Sequence, residues 1–530
     1  MPASQPAHRL GFEATRTNRL EGVSVAAGMR ILPALAVAVL LAGCAQSAAP
    51  TSSETVAPGN PFDVEVAKDV ASHPALGGWQ LDCNLGSYSH ALNANWTQSC
   101  VAQASHTPGS KEEMWTAVNP TNPLNAVVGA KDLNPANSGA CVWNGLGVTH
   151  DGGKTWKDVT IGGSLASRGP TSPFYGYRCN TDPDFRFDSK GDLHYGVEMY
   201  DLGQSALPDT VVKTIDSGYK ILLATSHDGG DTFPDVITYQ PDFGFVTDFS
   251  RMARSPTTDT VLEAIGSEEG AGCNVLRWTP TAAQVATFEP VATKEGFPCN
   301  SGGGSGVAAS PTGTFVLVGA AGIVARSTND GVTFTDTNPL FTWKGIPGQF
   351  SESKYRVTNT VESAYDVAGP HKGTLYVTYA GAERDEADIY VRSSTDDGKT
   401  WSDAVLVNQD PAGTHQWMPN IGVAADGSVH VAYMDKSYDV LHNHTFIDIS
   451  HGVSFDGGKT WQTERVTSKS FDGDLGIHQE GFPFIGDYLG VDCSGMDCWF
   501  GFPDSSQGTV PVIAAAHVHM GAAGNATKAP

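Results

Sequence analysis

The chain has 530 residues and a formal net charge of −25. That excess of acid argues against nucleic acid or an anionic membrane surface as a partner held by charge. With 60 Gly and 31 Pro, turns are plentiful and long helices are excluded as the main structure.

Met29-Arg30 precedes an apolar run from Ile31 to Leu41 and a small-residue junction, Ala42-Gly43-Cys44. This order predicts a secretory signal that starts at Met29; residues 1–28 fit no part of one. The run is too short to span a bilayer as a mature helix. Leu41-Ala42-Gly43-Cys44 resembles a bacterial lipobox. The resemblance implies a leader over 1–43, lipidation of Cys44, and export to the cell envelope with the lipid as membrane anchor. Residues 44–61, rich in Ala, Ser, Thr and Pro, read as a flexible tether. Residues 62–110 are poorly patterned and are placed to wrap the outside or donate a closing strand.

Export makes disulfides the expected state of cysteine. Beyond Cys44 there are eight, and sequence neighbours suggest Cys83–Cys100, Cys141–Cys179, Cys273–Cys299 and Cys493–Cys498. Spacing alone does not fix that pairing.

From residue 111 to 520 the chain alternates short apolar runs with polar turns, the pattern of half-buried strands. The first unit runs through Met114–Val118, Asn125–Gly129 and Cys141–Thr149. The second has Phe185 and Phe187 alternating with Arg186 and Asp188, then Leu193–Met199 and Tyr219–Thr225. The third has Phe249–Arg254, Thr260–Ile265 and Asn274–Trp278. The fourth has Gly306–Ala309, Thr314–Val318 and Ile323–Arg326. The fifth is read from Tyr355–Val361 onward, the sixth from Met418–Ala424. A final unit, Gly486–Val491, Asp497–Phe502 and Val510–Ala516, lacks a fourth strand. Residues 521–530 read as a disordered tail.

Five units end in one motif, Ser/Thr-x-Asp-x-Gly-x-Thr-Trp/Phe. The central residues are Asp151, Asp228, Asn329, Asp396 and Asp456. Five copies between strand-like runs are a repeat signal. In Ser454-Phe455-Asp456-Gly457-Gly458-Lys459-Thr460-Trp461, glycines supply turn angles and Asp456 folds back onto turn amides. The motif resembles the Asp-box, or bacterial neuraminidase repeat, of the sialidase superfamily. The resemblance implies an all-β fold, a β-propeller of four-stranded blades. The unit count gives seven blades, with six, the number in true sialidases, as the alternative. It also implies that the boxes are turns on the face away from the active site.

In a propeller the inner strands line a central channel, so side chains from distant units converge there. The candidates at those positions are Asp182, Asp184, Asp248, Arg251, Tyr355, Arg356, His415, Gln416, Asp487 and Tyr488. Such acids and arginines suit a sugar acid, another polar glycan or a cation. The resemblance implies a Tyr nucleophile, an Arg clamp and an acid at the leaving oxygen. Tyr488 would be the nucleophile, beside Asp487. Arg251 and Arg356, with Arg178, would form the clamp. Asp132 would be the acid, and Glu480 or Glu362 the base. The family's Phe-Arg-Ile-Pro motif is absent. The reading is therefore of a monomeric propeller that binds a glycan or other polar ligand at its channel, with exo-α-sialidase chemistry as the alternative. No cofactor is required, and Ca2+ is the ion that channel carboxylates would take. His442-Asn443-His444 and His517-Val518-His519 each put two imidazoles on one face of a strand, without a carboxylate at fixed spacing.

Overall fold

A computed structural model describes residues 96–107, 110–132, 143–161, 179–200, 220–239, 247–267, 274–279, 289–291, 306–319, 322–335, 341–439, 445–467, 470–475, 478–479, 482–506 and 511–520. The leader, Cys44, the tether, the tail, Arg178, Glu480, His442 and His444 lie outside them. So does at least one cysteine side chain of each predicted disulfide except Cys493–Cys498.

The strands pair as seven antiparallel sheets arranged in a ring. Their innermost strands are Lys111–Val118, Cys179–Phe187, Thr247–Arg254, Gly306–Ala309, Val361–Tyr365, Gln416–Val423 and Gly490–Ser494. Each of these contacts the next, and the last contacts the first, so the circuit closes. The protein is a seven-bladed β-propeller. Blade four has three strands plus a single bridge between Arg326 and Thr335.

The seventh blade shows how the ring is locked. Its outermost strand is Trp96–Gln103, which pairs antiparallel with Val512–Met520, Gln103 opposite Ala514 and Trp96 opposite Met520. The ends of the propeller are thus laced into one sheet. A disulfide joins Cys493 to Cys498 across the first turn of this blade.

Alternation sets the packing between blades. In Leu193–Tyr200, Tyr195 and Val197 join a core with Trp115, Trp143 and Leu146 of blade one. The residues between them, His194, Gly196 and Glu198, take the opposite face of the strand, toward blade three. Two inner strands start later than the sequence predicts. Tyr355, read as the start of blade five, instead fills the core beside Trp417 and Phe350, and pairing begins at Val361. In blade seven, pairing begins at Gly490 rather than Gly486.

All five boxes close in the same way. In the last, Ser454 Oγ donates to Asp456 Oδ1 at 2.9 Å, and Gly458 N donates to Ser454 Oγ at 2.8 Å. Thr460 N and Thr460 Oγ1 then donate to the two carboxylate oxygens, at 2.9 and 2.7 Å. In the third box Asn329 keeps the first acceptor, and its Nδ2 donates to Thr333 Oγ1 at 2.9 Å. The polarity of one bond is reversed without loss. Gly457 and Gly458 have φ of 76° and 81°, where a side chain is strained. Partial burial works against ionisation of Asp151, Asp228, Asp396 and Asp456, but these hydrogen bonds hold all four below the ordinary Asp range.

Candidate functional site

The boxes mark one end of the ring. They adjoin the turns that follow the innermost strands: Gly152 N donates to Leu124 O at 2.9 Å, and Asn125 Nδ2 to Gly229 O at 3.0 Å. The opposite end is built differently. Four innermost strands carry a β-bulge as they enter there, between Glu112 and Trp115, Thr181 and Asp184, Asp248 and Arg251, and Trp417 and Asn420. Each bulge holds a non-glycine residue in the left-handed region: Glu113 at 57°, Asp182 at 51°, Phe249 at 57° and Met418 at 49°. Gly486, entering blade seven, has φ of 87°. Bulges re-aim side chains, and strained backbone of this kind persists only where the surroundings over-determine it.

The re-aimed side chains meet on the axis. Arg251 of blade three donates Nε to Glu362 of blade five at 2.7 Å. Its guanidinium lies 4.5 Å from the ring centre of Trp115 in blade one and 4.2 Å from that of Tyr488, entering blade seven. None of these blades adjoins blade three, so the contacts must cross the centre. Arg251 and Tyr488 are each 1% exposed. Above this plug, Arg356 grips Asp487 through both carboxylate oxygens, and Thr358 Oγ1 donates to Asp487 O at 2.7 Å. Lys131 pairs with Glu113 and lies 3.6 Å from Asp182. Tyr488 Oη donates to Asp182 Oδ1 at 3.3 Å. Phe484 carries Arg356 and Lys131 over its ring, at 4.9 and 5.5 Å.

Acids outnumber bases here, and burial settles the balance. It pushes Glu112 up to about 8, against a hydrogen bond from Ser110, and Asp184 up to about 7, against Arg186 and Arg251. It also raises Glu113 against Lys131, and Asp487 against Arg356. Burial disfavours the charge of Arg251, but Glu362, Tyr488 and Asp184 together more than offset this and Arg251 stays protonated. Burial raises Glu362 in turn, against the pull of Arg251. Tyr488 is pushed well above the usual phenol range, chiefly by burial and then by Asp182. That is the wrong direction for a nucleophile, which needs an accessible phenolate.

The structure therefore brings Asp182, Arg251, Arg356, Asp487 and Tyr488 together. It keeps two other candidates apart. Asp132 is buried against Lys111 at 2.9 Å. His415 lies between Glu352 and Glu386, at 2.9 Å from each, stacked on Phe350. Asp248 sits on the inner strand of blade three. Lys131, Trp115, Glu112 and Phe484 were missed. The signal for Lys131 was a lone cation ending the small, apolar run Ala126–Ala130, a place a solvated lysine would not choose. Among the described residues no group of three or more His, Cys, Asp or Glu is placed to hold a metal ion. Where Ca2+ was expected, Lys131 and Arg251 already sit among the acids.

No family model and no curated protein sequence matches the chain. Solved structures similar to it include YCF48 bound to D1 peptide, at 11% identity and a TM-score of 0.41 over 84% of this chain and 100% of that one. A Trypanosoma rangeli sialidase in complex with sialic acid overlaps at 13% identity and 0.41, over 67% of this chain and 55% of that one. The Hadza microbial sialidase Hz136 overlaps at 14% and 0.40, over 62% and 64%. The propeller itself rests on the strand pairing.

Proposed function

We propose that the protein is an exported, lipid-anchored propeller that binds an acidic glycan or similar polar ligand at the axial mouth opposite the boxes, without cleaving it. One observation carries this reading: Tyr488 is enclosed between Arg251, Phe249 and Asp182 and is held protonated, while Arg251 is committed to Glu362. Tyr488 and Arg251 are both buried. Arg356, at the mouth, has a side chain 38% exposed and is braced by Asp487 and Phe484. A partly exposed guanidinium at that place suits an acidic ligand group.

The alternative, exo-α-sialidase chemistry, draws support from the Tyr488–Asp182 contact, since a phenol beside a carboxylate is the pairing that activation requires. A fluorogenic sialoside separates the two readings. The expected result is no turnover above blank by the native protein, with binding of sialylated glycans that weakens about tenfold in Arg356→Ala, the scale of one charge-assisted contact. Turnover that disappears in Tyr488→Phe would establish the enzyme reading instead.

A further inference from the structure

On the box side of the plug the axis opens into a cavity of about 190 Å³. It is lined by the last residues of the innermost strands, and its wall has two unlike halves. Blades four to six supply Val307, Ala308, Ala309, Ala364, Ile421 and Val423, which are small or apolar. Blades two, three and seven supply Arg186, Arg254 and Asp492.

The polar half carries spare donors. Arg186 uses Nε on Met252 O, at 3.1 Å, and Nη1 on Asp492 Oδ1, at 2.9 Å. Among the described residues its Nη2 has no hydrogen-bond partner. Arg254 uses Nη1 on Asp259, at 2.7 Å, and among the described residues its Nε and Nη2 have no hydrogen-bond partner. Ser363 Oγ, on the facing wall, is buried without a hydrogen bond among the described residues. The carboxylate in the wall, Asp492, is already engaged on both oxygens, by Arg186 and by Val118 N at 2.8 Å. Two guanidiniums thus line the wall, each keeping N–H groups beyond its ion pair with Asp492 or Asp259.

We propose that this cavity is a second binding site, for a small organic monoanion with an apolar body, an aromatic or branched carboxylic acid. The free guanidinium edges take the carboxylate, and the wall of blades four to six takes the hydrocarbon. The size fits a single ring: a cavity of about 150 Å³ holds benzene. The site is independent of the mouth at Arg356, from which the Trp115–Arg251–Tyr488 plug divides it.

The test is calorimetric titration of the full purified chain at low ionic strength with benzoate, its neutral analogue benzamide and the cation benzylamine. Benzoate is expected to bind at least tenfold more tightly than benzamide, with no benzylamine binding. Arg254→Met is expected to weaken benzoate at least tenfold. Ala364→Leu, which narrows the apolar wall and leaves both arginines in place, is expected to weaken benzoate and benzamide together. Urea unfolding of each variant reports whether the fold is kept. Absence of benzoate binding overturns the proposal. So does equal affinity for benzoate and benzamide, or a benzoate affinity that falls with Arg356→Ala and not with Ala364→Leu.

Discussion

The two ends of the ring solve the same problem, joining strands around an axis, by opposite means. At the box end each turn is local. One carboxylate answers donors within four residues of itself, stays near water and stays ionised. At the other end the contacts are long-range. Arg251 and Glu362 are 111 residues apart, and Tyr488 and Asp182 306 apart. They are dry, over-rich in acid and held in strained backbone. A local turn can be repeated blade by blade. An axial hub exists once, and each member depends on the rest.

Substitutions sharpen this contrast. Arg251→Met strands Glu362 in the interior and is expected to cost about 3–5 kcal/mol in urea unfolding, the scale for breaking a buried pair. Asp456→Ala removes a solvated turn acid and is expected to cost about 1–2 kcal/mol. If the two costs were equal, the ends would not differ as described.

Glycine gives a second comparison. A Cβ at Gly486 would sit 2.5 Å from Glu113 N, a backbone atom that cannot yield, at φ of 87°. Gly486→Ala is expected to cost about 3 kcal/mol, because strain and overlap add. At Gly152 the nearest atom is the flexible end of Leu124, at 3.1 Å, with φ of 74°. Gly152→Ala should cost about 1–2 kcal/mol, the left-handed penalty alone.

The ends should also respond to pH in opposite directions. Glu112 is raised from 4.5 to about 8, so the folded chain keeps a proton that the unfolded chain has lost. Its stabilising share is full below the unfolded pKa and falls as pH rises from about 4.5 through 8; Asp184 behaves alike from 3.8 to about 7. The box acids have depressed values, so their share is present above 3.8 and lost as pH falls through the folded pKa. In urea midpoints against pH, Glu112→Gln should flatten the decline on the alkaline side. Asp456→Asn should flatten the one on the acid side. A variant that altered the other limb would contradict the assignment. The smallest effect is expected for Asn329→Asp, within ~0.5 kcal/mol, since the Thr333 hydroxyl can donate to the new oxygen as it accepts now.

The repeated half of the molecule was legible because its chemistry is local. Ser454, Asp456, Gly458 and Thr460 bond to one another, so their spacing is their function. The closing strand was half visible: blade seven lacked a fourth strand, and 62–110 was read as an outer wrap or a closing strand. Nothing local distinguishes Trp96–Gln103 from the rest of that segment. The hub was legible only as a set of positions. That Asp182, Arg356 and Asp487 converge follows from a ring, but their partners do not. Lys131 is on a second strand, and Trp115 looks like any core tryptophan. The bulges that aim them at the axis are carried by unlike residues: Glu113, Asp182, Phe249 and Met418. Left-handed geometry without glycine leaves no common letter to find.

Side chains from non-neighbouring blades meet at the centre and seal it. A double-mutant cycle on Arg251→Met and Glu362→Gln tests this directly. Contact across the axis predicts a coupling of about 2 kcal/mol or more, with the double variant more stable than Arg251→Met alone. Costs that simply add, within about 0.5 kcal/mol, would mean that the two residues do not touch and that the axis is open.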